Sequence, residues 1–144
     1  MPEGLTKPTI LVVEDDPSLS GALAALLKSE GYATVVANTG SAGLKYAAEH
    51  APLVVILDIH LPDIHGLILS QKLRDLLGPA VPLIILSGDS SMEVINSLSH
   101  VGATHFFRKP VESKLLVKQL AELLIGIRPP LAHPANPSSA PHRF

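Results

Sequence analysis

Cysteine is absent from this 144-residue chain. Neither a disulfide framework nor a thiolate metal site is available, which fits a reducing compartment. A basic stripe is missing as well: 11 Lys and Arg stand scattered against 13 Asp and Glu, for a net charge of −2. Nucleic-acid binding by this chain therefore lacks the cationic footprint that phosphate contacts need. Long apolar runs are also lacking. Runs such as Leu53 to Leu57 fall far short of the ~20 residues that cross a bilayer, and no basic segment followed by an apolar one opens the chain. These absences predict a cytoplasmic protein without a membrane span, whose partner is a protein or a small anion.

A chain of this length buries roughly two-thirds of the surface it exposes when unfolded, so one core suffices without a disulfide or structural metal. From Arg128 onward, "RPPLAHPANPSSAPHRF" is rich in Pro, Ser and Ala with almost no apolar periodicity. Such a segment cannot bury enough to order itself, and residues 128–144 are predicted to be a disordered tail.

Between the ends, short β-rich runs alternate with helical patterns: "TILVV" (9–13), "ATVVA" (33–37), "LVVIL" (53–57), "PLIIL" (82–86) and "THFF" (104–107). Three of the five are continuously apolar, as parallel strands covered on both faces are. The first intervening helix buries a stripe of Leu19, Ala22, Leu23, Leu26 and Leu27 and ends at Gly31. A second spans roughly Thr39 to Glu49, although Gly40 and Gly43 lower its propensity. The third carries Leu69, Leu73, Leu76 and Leu77 before Gly78 and Pro79 stop it. Ser90 with Glu93 has the spacing of a capping box for a fourth, and Leu116, Leu120 and Leu123 mark a fifth. An alternating (βα)5 chain predicts an α/β fold with a five-stranded parallel sheet, right-handed crossovers and helices on both faces. Ligands of such sheets bind outside the carboxyl ends of the strands.

Those ends carry the chemistry. "ILVVEDDP" (10–17) runs the first strand straight into Glu14, Asp15 and Asp16; Asp58 follows the third strand, Ser87 the fourth, and Lys109 with Pro110 the fifth. Two carboxylates about 4 Å apart repel by roughly 4 kcal/mol at the effective dielectric of a protein surface, so a cation is expected between them. If the first and third strands are neighbours, Glu14, Asp15 and Asp58 converge on one crevice. Oxygen ligands without His or Cys, with an open outer side, suit Mg²⁺. Lys109 adds a point charge and Ser87 a hydroxyl, so the crevice suits a phosphoryl group in transfer. Asp58 is the natural nucleophile.

Taken together, "ILVVEDDP", "LVVILDIHLPDIHG", "LIILSG" and "FFRKP" resemble the receiver domain of two-component response regulators over about residues 8–127. The order of the four pieces, with 29 residues from Asp58 to Ser87 and 22 from Ser87 to Lys109, makes the combination specific. The resemblance implies a flavodoxin-like three-layer sandwich with strand order 2-1-3-4-5. It implies that Asp58 is the phospho-acceptor, Asp15 a direct Mg²⁺ ligand, Glu14 a ligand acting mainly through water, and His60 a ligand through its backbone carbonyl. Ser87 would bond a phosphoryl oxygen, Lys109 would pair with its charge, and Phe106 would change orientation on activation. Pro110 matches a proline that often follows a cis peptide.

The function implied is a switch and not an enzyme in the usual sense. Asp58 takes a phosphoryl group from the phosphohistidine of a sensor kinase or phosphotransfer protein. The face of the fourth helix, fifth strand and fifth helix then binds a downstream protein. Other readings compete residue by residue. Asp16 before Pro17 reads as a helix N-cap in preference to a ligand, Asp63 and Asp89 as solvated loop residues, and His60 and His65 as surface histidines in preference to a metal pair. An Asp-dependent phosphohydrolase wants a second Asp two residues past the nucleophile, where this chain has His60. A nucleotide-binding domain wants a glycine-rich loop after the first strand, where this chain has acids. A receiver-like scaffold that accepts no phosphate is disfavoured by the complete set Asp15, Asp58, Ser87 and Lys109.

Overall fold

The computed structural model describes residues 9–88, 96 and 105–125. Strands β1 (Thr9–Val13), β2 (Ala33–Ala37), β3 (Val54–Asp58), β4 (Leu83–Ser87) and β5 (His105–Arg108) form one parallel sheet in the order β2-β1-β3-β4-β5. This is the flavodoxin-like order. Helices α1 (Pro17–Ser29), α2 (Gly40–His50) and α3 (Gly66–Leu77) connect the first four strands. Apart from Asn96, which is helical, the expected fourth helix lies outside the described residues, as do Asp89 and the Pro-rich tail. Among the described residues no helix is long and apolar enough to cross a membrane.

The chain divides into two compact units, one through Val111 and one from Glu112. In the first, side chains alternate across the sheet with the period of a strand. Leu11, Val13, Val55, Leu57, Leu83 and Ile85 join Ala47 of α2 and Leu69 and Leu73 of α3 in one buried cluster. Their neighbours Ile10, Val12, Val54, Ile56, Ile84 and Leu86 are as deeply buried on the other side, and α1 runs along β1 and β2. Continuously apolar strands are therefore apolar because both sides are covered. Among the described residues the second unit holds one helix, Ser113–Leu124, whose buried residues Leu116, Leu120 and Leu124 recur every four positions.

Three details depart from the expected stripes. Ala22 is exposed on α1, Leu76 on α3 is 47% exposed, and in the last helix Leu124 takes the buried place expected for Leu123. An apolar stripe read from period alone is wider than the line of contact a helix makes, so its outermost members face water. The ends agree more closely. Gly31 and Gly78 adopt φ values of 93° and 88° where the first and third helices stop, the left-handed region that glycine enters without penalty.

Gly66 has a different reason to be glycine. A Cβ there would meet the backbone of Ile59 and lie 2.6 Å from the Asp58 carbonyl oxygen, while the Gly66 amide donates to the Ile59 carbonyl at 2.7 Å. The start of α3 is thus pressed against the end of β3. Gly66→Ala is expected to destabilise the chain by about 2 kcal/mol, because backbone must move to admit the methyl. Urea unfolding of the two proteins measures it; equal midpoints would show that the close approach is not rigid.

Candidate functional site

β1 and β3 run side by side, Val13 opposite Leu57, so the next residues, Glu14 and Asp58, lie at neighbouring strand ends. The ladder does not stop at Val13: the Glu14 amide donates to Ala37 O at 3.0 Å, and Asn38 Nδ2 donates to Glu14 O at 3.0 Å. Sheet and side chain together fix the Glu14 backbone. Its carboxylate is only 1% exposed. Oε2 accepts from the Asp16 amide at 3.1 Å, whereas Oε1 makes no hydrogen bond and meets Lys109 Nζ at 3.1 Å as an ion pair.

Asp58 is the last residue of β3 and is 3% exposed. One oxygen, Oδ1, accepts from the His60 amide at 3.2 Å, and Oδ2 lies 3.2 Å from the same Lys109 Nζ. The lysine is carried there by β5, whose ladder extends one step as the Lys109 amide donates to Ser87 O at 2.9 Å. Its peptide bond to Pro110 is cis. Ser87 closes β4 and is fully buried. Phe106, half-buried opposite Ile85, packs against the core cluster.

One ammonium thus serves two buried carboxylates. Burial raises the Glu14 carboxyl above its ordinary range, the Asp58 charge adds to that, and the Asp16 amide and Lys109 oppose it. Burial alone would pull Lys109 down, but bonding to Glu14 and Asp58 outweighs it and holds the ammonium above its usual value. An oxygen from each of Glu14, Asp15 and Asp58 lies within 4.8 Å of the others. Three carboxylates, with no nitrogen or sulfur donor in the cluster among the described residues, and an exposed Asp15 fit a hard divalent ion that keeps part of its water shell.

Several residues take places that differ from their sequence readings or sharpen them. Asp16 is the N-cap of α1, its Oδ1 accepting from the Ser18 amide at 3.0 Å with Pro17 beginning the helix. Asp63 is exposed in its loop as expected, yet it has backbone partners: Oδ1 accepts from the Gly40 amide at 2.8 Å and Oδ2 from the Ser41 amide at 2.9 Å. His65 caps α3 through Nδ1, which accepts from the Leu67 amide at 3.1 Å. A neutral ring that accepts at Nδ1 carries its proton on Nε2, and His65 meets His60 edge to face with ring centroids 6.0 Å apart. That arrangement is a helix cap and a ring contact. No local window could have revealed Asp63, since its partners are 22 and 23 residues away. For His65 the signal was weak because histidine is outside the usual set of capping residues.

A family model described as response regulator receiver domain matches residues 10–121. The transcriptional regulatory protein KdpE of Mycobacterium tuberculosis is 39% identical over 102 residues, covering 70% of this chain and 44% of that protein. The DNA-binding response regulator MtrA of Mycolicibacterium smegmatis is 37% identical over 112 residues, 77% of this chain and 48% of that protein. The chain therefore spans about half the length of these curated relatives. Among solved structures, a response regulator receiver domain protein of Methanospirillum hungatei superposes with a TM-score of 0.78 at 29% identity, covering 83% of this chain and 94% of that one.

Proposed function

This chain belongs to the family of response regulator receiver domains, and from that premise we propose that Asp58 takes a phosphoryl group from a phosphohistidine in a Mg²⁺-dependent reaction. The observation that carries the reading is the convergence on Lys109 of two buried carboxylates from different strand ends, Glu14 at 3.1 Å and Asp58 at 3.2 Å. Mg²⁺, held by Asp15, Asp58 and the His60 carbonyl with Glu14 acting through water, would supply positive charge to the phosphoryl oxygens. The protein's own groups do the rest. The His60 amide orients the Asp58 carboxylate through Oδ1, so a carboxylate oxygen forms the new P–O bond as the P–N bond of the donor breaks. Lys109 moves its charge from carboxylate to phosphoryl group without leaving the crevice, and the Ser87 hydroxyl at the end of β4 bonds a phosphoryl oxygen.

Residues 8–127 form the receiver in this reading and 128–144 its tail. The partner is the phosphohistidine of a sensor kinase or phosphotransfer protein. Added charge at Asp58 biases Ser87 and Phe106 toward a second packing, and the face that includes β5 passes the change to a downstream protein in the cytoplasm. The chain also assists loss of its own phosphoryl group by admitting water to the same site. A phosphohydrolase that turns over external esters is disfavoured, because the place of its second acid is His60, whose ring points to His65.

Intact mass measured after incubation with Mg²⁺ and acetyl phosphate tests the proposal. One phosphoryl group per chain is expected, labile to hydroxylamine and absent when EDTA removes the metal. No adduct under these conditions, or an adduct that forms equally in EDTA, overturns it.

A further inference from the structure

We propose that Asp63 is a positioning residue for the acceptor loop, holding residues 59–65 and with them the His60 carbonyl in register with the acidic cluster. The inference rests on the reading of Asp58 and Mg²⁺ just given. After Asp58 the chain makes a closed loop: His60 and His65 form an antiparallel bridge, and the Gly66 amide returns to Ile59 O at 2.7 Å. Asp63 stands between the two histidines, near the tip. Both its carboxylate oxygens accept backbone amides of α2, from Gly40 at 2.8 Å and Ser41 at 2.9 Å. The side chain of the next residue, Ile64, occupies the space a Cβ on Gly40 would need. Loop tip and helix start are therefore joined by two charged hydrogen bonds and a close apolar contact.

The same turn also reaches the other half of the site. Asn38, two residues before Gly40, donates its side-chain amide to Glu14 O at 3.0 Å. The connection from β2 to α2 thus braces the acidic loop after β1 with one hand and the acceptor loop after β3 with the other. Thr39 Oγ1 accepts only from the Ala42 amide at 3.1 Å, so Asp63 takes two further first-turn amides of α2, and because this cap comes from the acceptor loop it is also a tether. The two amide bonds hold the Asp63 carboxyl below its ordinary range, so it is ionised and accepts at both oxygens at neutral pH. A cleft of about 390 Å³ runs beside this loop from Asp15 to His65, so the loop has open space to move into when its tip is released.

The test compares Asp63→Ala with Thr39→Ala, which removes a cap from the same helix without touching the acceptor loop. Mg²⁺ affinity is read by isothermal titration calorimetry, and the metal-free proteins are compared by amide NMR. Groups that orient a metal ligand from outside its coordination sphere commonly change affinity by 10-fold or more, so Asp63→Ala is expected to raise the Mg²⁺ Kd about 10-fold. Asp63→Asn, which keeps one acceptor oxygen, should fall between that variant and the wild type. Without metal, the His60 amide resonance should shift or broaden in Asp63→Ala and stay in place in Thr39→Ala. Equal changes in Kd for Asp63→Ala and Thr39→Ala, or no change for either, overturn the inference while leaving the acceptor reading intact. Wild-type protein that neither binds Mg²⁺ nor gains a phosphoryl group removes both.

Discussion

Asp58→Asn is expected to lose Mg²⁺-dependent labelling by acetyl phosphate by about a thousandfold or more, the order seen when the nucleophile of a cooperating set is removed. The substitution is nearly isosteric. Asn keeps a carbonyl oxygen for the His60 amide, which donates to Asp58 Oδ1 at 3.2 Å, so the acceptor loop has no reason to move. What disappears is the anionic oxygen that would form the P–O bond. Stability should hold or rise slightly at neutral pH, because Glu14 and Asp58 share a single ammonium and are 1% and 3% exposed. Intact mass with hydroxylamine treatment reads the labelling, and urea unfolding reads the fold. Wild-type labelling in a folded Asp58→Asn protein would mean that another carboxylate of the cluster, Asp15 first among them, is the acceptor.

Replacing Lys109 by Met should have the largest effect on stability. Two carboxylates whose oxygens approach within 4.8 Å repel by about 3 kcal/mol at an effective dielectric of ~20. Breaking a buried ion pair from one side commonly costs about 3 to 5 kcal/mol. A loss of about 3 kcal/mol at pH 7 in EDTA is therefore expected, since the lysine is itself partly exposed and water will enter its place. The pH dependence has a definite sign. Burial already lifts the folded Glu14 carboxyl above its ordinary 4.5, and removing the ammonium lifts it further. A carboxyl raised on folding loses stability as pH climbs from its unfolded value to its folded one. The gap between Lys109→Met and wild type should thus be small near pH 4.5 and widen toward pH 7. Added Mg²⁺ should narrow it again by restoring positive charge. A gap that stays constant with pH and ignores Mg²⁺ would mean the lysine contributes packing and not charge. Wild-type protein loses stability in the same direction at the alkaline end. Its Lys109 is raised above 10.5, so that contribution is complete below this value and fades only as pH rises through the folded one.

Much of the site was legible before any coordinates. Strand ends are written locally: apolar runs stop where an acid, a serine or a lysine begins, and each of Glu14, Asp58, Ser87 and Lys109 sits at or just past such an end. The observed strands shift by one residue, β3 closing on Asp58 and β4 on Ser87, because neighbouring carbonyls continue the ladder past the apolar run. Caps made by adjacent residues were legible too, as Asp16 and Pro17 illustrate. The strand order came only from likeness to a known family, since alternation of strand and helix permits several orders. The partners of Asp63 were hidden for a related reason: an acid in a Pro-containing loop, exposed as expected, shows nothing of its bonds to Gly40 and Ser41 until α2 is placed against it.

What the sequence by itself determined is therefore the inventory: five strands, the helices between the first four, and which residue types stand at the carboxyl edge. Period and end signals are properties of a few consecutive residues, and they survive without knowledge of the rest. Tertiary structure alone decided which acids share Lys109, that Asn38 and Asp63 brace the two loops, and which apolar helix residues face water. Those outcomes depend on register between strands and on contacts across more than 20 residues of chain, where geometry is set by the sheet as a whole and not by neighbours in sequence.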